Sequence, residues 1–127
     1  MIVRGIRGAT TVAHNDEQEI LGATEEVLQK MSSDNNLDTE LIAAVVFSVT
    51  EDLNAAFPAA AARQLGWNTV PLFCATEIPV PSGMPLCIRI LILYNTDKPQ
   101  KDIKHAYLNN AKKLRPDLNK QLFGFPS

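Results

Sequence analysis

Residues 86–96 read LCIRILILYNT and form the most strand-like stretch of the chain. Because side chains alternate across a strand, one face carries Cys87, Arg89, Leu91 and Leu93, and the other carries Ile88, Ile90, Ile92 and Tyr94. Arg89 is the anomaly, because a guanidinium keeps its charge and needs anionic or acceptor partners when it is buried. Taken alone, it is better explained by a structural role, either at a solvated face of an edge strand or in a salt bridge to Glu77.

The segments around this strand alternate between strand and helix patterns. Further strands are predicted at residues 2–12, 41–50 and 70–76. Gly5 and Gly8 interrupt the first of them, which indicates a bulge or a close approach of another segment to the backbone.

Helical patterns occupy the intervening segments. Three helices are predicted: an amphipathic one after the caps Asn15 and Asp16 that ends in the polar loop 32–36, a short one from Pro58 to Gly66, and a long one over residues 103–114 that Pro116 limits. This order indicates an α/β (α+β) domain in which helices pack on one side of a mixed β-sheet. We expect a single domain over residues 1–118 and a flexible tail over residues 119–127.

Composition excludes several classes of protein. The chain has 127 residues, of which 46% are hydrophobic, and a formal net charge of -2, so it lacks the basic excess of a nucleic-acid binder. Its longest strongly apolar stretch, residues 41–49, is far shorter than the roughly 20 residues of a membrane span. A strand-like segment follows Met1 at once and leaves no room for a signal peptide. We therefore expect a cytoplasmic protein with neither a nucleic-acid nor a membrane partner.

The sequence offers few groups for nucleophilic or metal chemistry. Cys74 and Cys87 lie within apolar strand-like runs and are expected to be reduced, inert thiols. His14 lies in a polar loop and His105 on the predicted last helix, so neither is a convincing partner for a cysteine. There is no zinc-ligand spacing, phosphate loop or dinucleotide fingerprint. We expect no metal site.

Charged residues from separate segments are the better candidates for a site. Arg7, Arg63 and Arg89 could converge on a polyanionic small molecule, because a guanidinium binds a carboxylate bidentately. Taken singly, each is better explained as a surface residue. Glu77 follows a predicted strand and is a candidate general base, hydroxyl acceptor or ion-pair partner. Tyr107 falls on the apolar stripe of the predicted last helix, where it is either core or ligand.

Four separated motifs occur in a recognisable order. They are VRGIRGATTV at residues 3–12, DLNAAFPAAAARQLGW at 52–67, CIRILI at 87–92 and HAYLNNAKKLRPDL at 105–118. Together they resemble the monofunctional chorismate mutases of the AroH class over nearly the whole chain. The resemblance implies a homotrimer of the pseudo-α/β-barrel type, with active sites between neighbouring subunits. It also implies an isomerase that converts chorismate to prephenate by a one-step, cofactor-free Claisen (pericyclic) rearrangement in phenylalanine and tyrosine biosynthesis.

The same resemblance implies a role for each motif residue. Arg89 would bond the ether oxygen of the breaking C–O bond, where negative charge grows in the transition state. Arg7 would bind a substrate carboxylate and the ether side, and Glu77 would accept the ring hydroxyl. The other implied ligands are Tyr107 and Arg63 for the carboxylates, Cys74 beside Glu77, Arg115 for closure, and Phe57, Phe73 and Leu114 as apolar walls.

The sequence departs from the family pattern in three places, one of which is the segment QLGW at residues 64–67, one residue shorter than usual. Ala60 stands where the family commonly has a lysine, which removes positive charge near the entrance, and the segment from Asn119 onward diverges. Two other hypotheses stay open. One is a non-catalytic trimeric module that binds an aromatic-pathway acid. The other is a small trimeric deaminase of the reactive-imine family, which the ordered motifs do not favour.

Overall fold

A mixed β-sheet of five strands runs through residues 1–115, the part of the chain that the computed structural model describes. Its strands are β1 (Ile2–Thr11), β2 (Ile42–Val49), β3 (Leu72–Thr76), β4 (Cys87–Thr96) and β5 (Ala106–Tyr107). They are arranged in the order β3-β2-β4-β1-β5. Strand β4 pairs antiparallel with β1 and β2, whereas β5 and β3 add in parallel at the two edges. Because β4 is central, the explanation that places Arg89 on an edge strand is wrong.

Two α-helices pack on one face of this sheet, as predicted. They are α1 (Glu17–Asn35) and α2 (Ala59–Gln64), and three short 3₁₀ segments, Thr39–Leu41, Gln100–Asp102 and Asn109–Leu114, complete the described structure. The cap of α1 is confirmed, since the Asp16 carboxylate accepts the Glu19 N–H at 3.0 Å. Pro58 directly precedes α2, and Gly66 follows it with φ of +89°, a conformation that glycine adopts without strain.

The end of α1 differs from the prediction. Polar residues 32–36 indicated a loop, yet the helix continues to Asn35. The reason is tertiary: Asn35 is buried, and its side-chain amide donates to the carbonyl oxygens of Met31 and Lys104, each at 2.8 Å. Asn36 then closes the helix in the left-handed conformation, with φ of 52°.

The hydrophobic core lies between the helices and the sheet. Its fully buried side chains include Ile6, Val27, Leu28, Met31, Phe47 and Ile92. Gly8 allows this packing, because a Cβ built at Gly8 would collide with the thioether of Met31 on α1. The close approach that the glycine indicated in the first strand is therefore confirmed at Gly8.

The opposite side of the sheet has no helix packed on it within the described residues, and we call it the open face. Strand register places Arg7 beside Leu91, Val46 beside Leu91, and Ser48 beside Arg89 on this face. Leu91 is 37% exposed there, whereas Ile90 and Ile92, which point to the helices, are buried. The predicted alternation of β4 is confirmed at these positions.

The predicted long helix over residues 103–114 is wrong. Ala106 and Tyr107 form β5, which pairs with Gly8 and Ala9 of β1. A 3₁₀ segment follows from Asn109, whose φ is 54°. The backbone of residues 104–110 bonds to the edge of β1 and to Asn35, whose Oδ1 accepts the Lys104 N–H at 2.9 Å. These long-range hydrogen bonds outweigh a modest helical stripe, because an isolated short helix is marginal in water.

The predicted limit at Pro116, the predicted end of the domain at residue 118 and the predicted tail at residues 119–127 lie outside the described residues. Among residues 1–115, no helix is long and apolar enough to cross a membrane.

Candidate active site

Five of the residues implied as ligands line one cavity on the open face. The cavity has a volume of about 390 Å³, and its lining includes Arg7, Arg89, Tyr107, Leu114 and Arg115. Neighbouring strands β4, β1 and β5 supply Arg89, Arg7 and Tyr107, and the end of the last 3₁₀ segment supplies Leu114 and Arg115. We call this space the arginine cavity. Three guanidinium groups around one small cavity form a site for a ligand with more than one negative charge.

Glu77 is connected to the arginine cavity by an ion pair with Arg89. The Nε of Arg89 lies 3.5 Å from Oε1 of Glu77, so the salt bridge proposed from the sequence is confirmed. The side chain of Arg89 is 47% exposed and that of Glu77 is 27% exposed. An ion pair with this much solvent contact contributes little to stability. Its main consequence is therefore to restrict where the guanidinium points.

A second partner holds the same carboxylate. The hydroxyl of Ser48 on β2 donates to Oε2 of Glu77, and Ser48 also lines the arginine cavity. Ser48 was missed from the sequence. The available signal was a polar side chain inside the otherwise apolar run of β2.

Arg89 also lines a smaller neighbouring cavity of about 230 Å³. That cavity is formed mainly by the residues after β3, which include Glu77 and the proline-rich segment that follows it. Arg89 therefore stands between the arginine cavity and this smaller space.

His105 supports the backbone beneath Arg7. Its Nδ1 accepts the backbone N–H of Arg7 at 2.9 Å, which requires an unprotonated Nδ1. Burial, followed by the positive charges of Arg7 and Arg115, lowers the pKa of His105 below its usual 6.5. The sequence pattern predicts His105 on a helix and gives no indication of this contact, because the pairing of β5 with β1 has no local signal.

The two cysteines are both free thiols. The pKa of the Cys87 thiol is raised above 9.0, mainly because the side chain is buried. The positive charge of Arg89 partly offsets this shift. Cys87 is therefore protonated near neutral pH and is a poor nucleophile. Cys74 is half-buried and lies away from the arginine cavity.

Three of the other predicted ligands lie on a different surface. Phe57, Arg63 and Cys74 line a groove of about 730 Å³ beside α2, which also includes Ala60, and we call it the α2 groove. Phe57 is 72% exposed, although it is a large apolar side chain. Phe73 is 65% exposed on β3 and lines neither the α2 groove nor the arginine cavity. A single chain thus does not bring all ten predicted residues together.

The arginine cavity is equipped to bind and to stabilise charge. It presents guanidinium groups, a phenol and apolar side chains. Within residues 1–115, no group of three or more His, Cys, Asp and Glu side chains is arranged to hold a metal ion. Fixed positive groups of this kind accelerate a reaction in which negative charge develops at a defined atom.

Comparison with known families identifies the chain. The family model "Chorismate mutase type I" matches residues 3–118. The chain belongs to the type I chorismate mutase family. The resemblance inferred from the four motifs is therefore confirmed.

Relatives in this chorismate mutase family match over most of the chain. The chorismate mutase AroH of Thermus thermophilus is 53% identical over 118 residues, which cover 92% of this chain and 97% of the relative. The chorismate mutase AroH of Bacillus subtilis (strain 168) is 45% identical over 120 residues, covering 94% of each. A solved structure titled chorismate mutase from Clostridium thermocellum superposes with a TM-score of 0.85 at 50% identity. It covers 86% of this chain and 97% of that chain. The predicted fold class is thereby confirmed.

Proposed function

We propose that this chorismate mutase family member isomerises chorismate to prephenate in the arginine cavity by a cofactor-free Claisen rearrangement. The observation that carries the proposal is the convergence of Arg7 and Arg89 on one cavity. The reaction breaks the ether C–O bond of chorismate and forms a C–C bond within the same molecule. No atom is lost and no group is transferred to the protein. The site therefore has to bind two carboxylates, compress the substrate and stabilise charge.

Arg89 is the residue proposed to act on the breaking bond. Its guanidinium is permanently charged and is already held by Glu77, so little reorganisation is needed when the ether oxygen becomes electron-rich. Interactions that strengthen only in the transition state lower the barrier, whereas equal binding of the ground state does not.

The other residues of the arginine cavity are proposed to hold the substrate. Arg7, Tyr107 and Arg115 would bind carboxylate oxygens, and Leu114 would supply an apolar wall. Glu77 would accept the hydroxyl of the ring. The arrangement favours the compact conformer, in which the two reacting carbon atoms are close.

We further propose a homotrimer in which the α2 groove of one subunit faces the arginine cavity of the next. Phe57, Arg63, Phe73 and Cys74 would then complete each site from a neighbouring chain. Two observations support this arrangement: eight of the ten predicted ligands line one or the other of these two surfaces, and large apolar side chains such as Phe57 and Phe73 are exposed. Exposed apolar residues around a site are typical of a surface that another chain covers.

A cytoplasmic location is proposed on a separate observation. Cys74 and Cys87 are both free thiols, and a reducing compartment maintains that state.

The test is an assay of purified protein with chorismate, followed by the loss of chorismate absorbance. We expect first-order conversion well above the spontaneous rate, with prephenate as the product. A rate equal to that of chorismate in buffer would refute the proposed function. Tight binding of prephenate without turnover would favour the binding-module hypothesis, which the relatives in this family do not favour.

A further inference from the structure

The hydroxyl group of Ser48 contacts the carboxylate that pairs with Arg89. Ser48 interrupts the apolar run of β2, and its register places it opposite Arg89 on β4 and beside Ala75 on β3. Its hydroxyl donates to Oε2 of Glu77, while Arg89 pairs with Oε1. Each oxygen of one carboxylate thus has its own partner on a different strand.

We propose that Ser48 is a positioning residue for the pair formed by Glu77 and Arg89. This inference rests on the proposed function, because it concerns how Arg89 is aimed at the reacting ether oxygen. By occupying Oε2, the hydroxyl fixes the plane of the carboxylate and leaves a single oxygen for the guanidinium. Arg89 then contacts Glu77 through its Nε alone, and its other N–H donors can bind a ligand in the arginine cavity.

Loss of this hydroxyl has a definite geometric consequence. Both oxygens of Glu77 become available to Arg89, and a guanidinium prefers to bind a carboxylate through two parallel hydrogen bonds. The guanidinium would turn toward Glu77 and away from the substrate. The positive charge would remain in the cavity, but its donors would no longer point at the ether oxygen.

The backbone of Glu77 is anchored independently of Ser48. The Glu77 N–H donates to the Val49 carbonyl oxygen at 2.8 Å, which extends the pairing of β2 and β3 by one residue. Removing the Ser48 hydroxyl therefore changes the orientation of the Glu77 side chain without releasing the chain at this point.

The first experiment measures kcat and KM of Ser48→Ala with chorismate. We expect kcat to fall roughly 10- to 100-fold, the range of a hydrogen bond to a charged group, with a much smaller change in KM. Ser48→Thr keeps the hydroxyl on a strand and should restore most of kcat. Ser33→Ala, at an exposed position of α1, is the matched control and should behave as the wild type.

The second experiment separates positioning from other roles by a double-mutant cycle. In a Glu77→Ala background the hydroxyl has no carboxylate to orient, so adding Ser48→Ala should change kcat less than about twofold. An equal loss in both backgrounds would show that Ser48 acts by itself and would overturn the inference. So would failure of Ser48→Thr to recover activity while the protein stays folded. An inactive wild type would instead refute the proposed function, and this inference with it.

Discussion

Arg89 illustrates how a charged residue is placed for chemistry at the scale of a single side chain. It lies on the central strand of the sheet, yet it points to the open face and stays 47% exposed in the isolated chain. Glu77 restricts its orientation, while the permanent charge of the guanidinium removes any dependence on a proton. The ion pair therefore orients the Arg89 guanidinium and contributes little to the stability of the fold.

Replacing Arg89 with lysine tests whether the fork of donors is needed as well as the charge. We expect Arg89→Lys to lower kcat roughly 100- to 1000-fold, because a lysine cannot bond Glu77 and the ether oxygen with fixed geometry. Circular dichroism should show an unchanged fold. Arg4→Lys is the matched control, since Arg4 lines neither cavity and bonds the Lys98 carbonyl oxygen. Near-normal turnover of Arg89→Lys would refute the assigned role.

The lowered pKa of His105 predicts that the folded protein loses stability in acid. Its pKa is lowered in the folded state, so the unfolded chain takes up a proton first as the pH falls below 6.5. The stability that the neutral imidazole contributes is present above that value, and it declines as the pH falls from 6.5 toward the lower folded pKa. Urea unfolding at about pH 7.5 and about pH 5 measures this loss.

The matching variant is His105→Asn, whose amide oxygen can accept the Arg7 N–H and does not titrate. It should reduce the difference in unfolding free energy between the two pH values. His14→Asn, at an exposed position away from β5, should leave the acid-side loss in place. An identical pH dependence of His105→Asn and wild type would contradict the prediction.

At the scale of elements, α1 packs closely on β1 at Gly8, the neighbour of the candidate ligand Arg7. Gly8 lets the helix approach the strand at Met31, and β5 pairs with β1 at the same place. One strand therefore carries the core contact with the helix on one face and a candidate ligand on the other. Strand alternation makes the two functions compatible, because adjacent residues point to opposite faces.

Substituting Gly8 tests this packing. We expect Gly8→Ala to lower the free energy of unfolding by about 1–3 kcal/mol, because the new methyl group overpacks the fully buried Met31. The control is Gly22→Ala on α1, where a Cβ meets no atom within 4 Å. That change should stabilise the helix by about 0.5–1 kcal/mol. Chemical denaturation of both variants measures the difference, and equal stability of Gly8→Ala and wild type would argue against the close approach.

At the scale of the whole molecule, the division of the candidate ligands between two surfaces is the main feature. Arg7 and Arg89 line the arginine cavity, while Phe57 and Arg63 line the α2 groove. Under the proposed trimer, one active site uses the cavity of one chain and the groove of another. Light scattering should then give three chains per particle.

Mixing inactive variants tests the shared site directly. Arg89→Ala and Arg63→Ala chains, unfolded together and refolded in equal amounts, should regain about one quarter of the wild-type sites, because random pairing places intact surfaces together. Mixing Arg89→Ala with Arg7→Ala is the control and should regain none, since both residues belong to the same cavity of one chain. Equal results from the two mixtures would contradict a site built from neighbouring subunits.

Local patterns in the sequence determined much of the fold. Alternation in residues 86–96 placed Arg89 on the face opposite the core, and the caps at Asp16 and Gly66 marked helix boundaries. These signals depend only on residues that are close in the sequence, so they can be read without a structure. The motifs added the family, because ordered matches over most of the chain do not depend on geometry.

Only the tertiary structure decided the fate of residues 103–114 and the grouping of the site. The edge of β1 and Asn35 supply hydrogen bonds that turn a helical pattern into β5, and no local signal reports a partner so distant in sequence. The pairing of β5 with β1 also places the His105 ring against the backbone N–H of Arg7, and the separate pairing of β2 with β3 places Ser48 beside Glu77. The sequence by itself therefore determined which chemical groups are present and which face each strand residue takes. Their distances and partners depended on strand order, which is set by the packing of the whole chain.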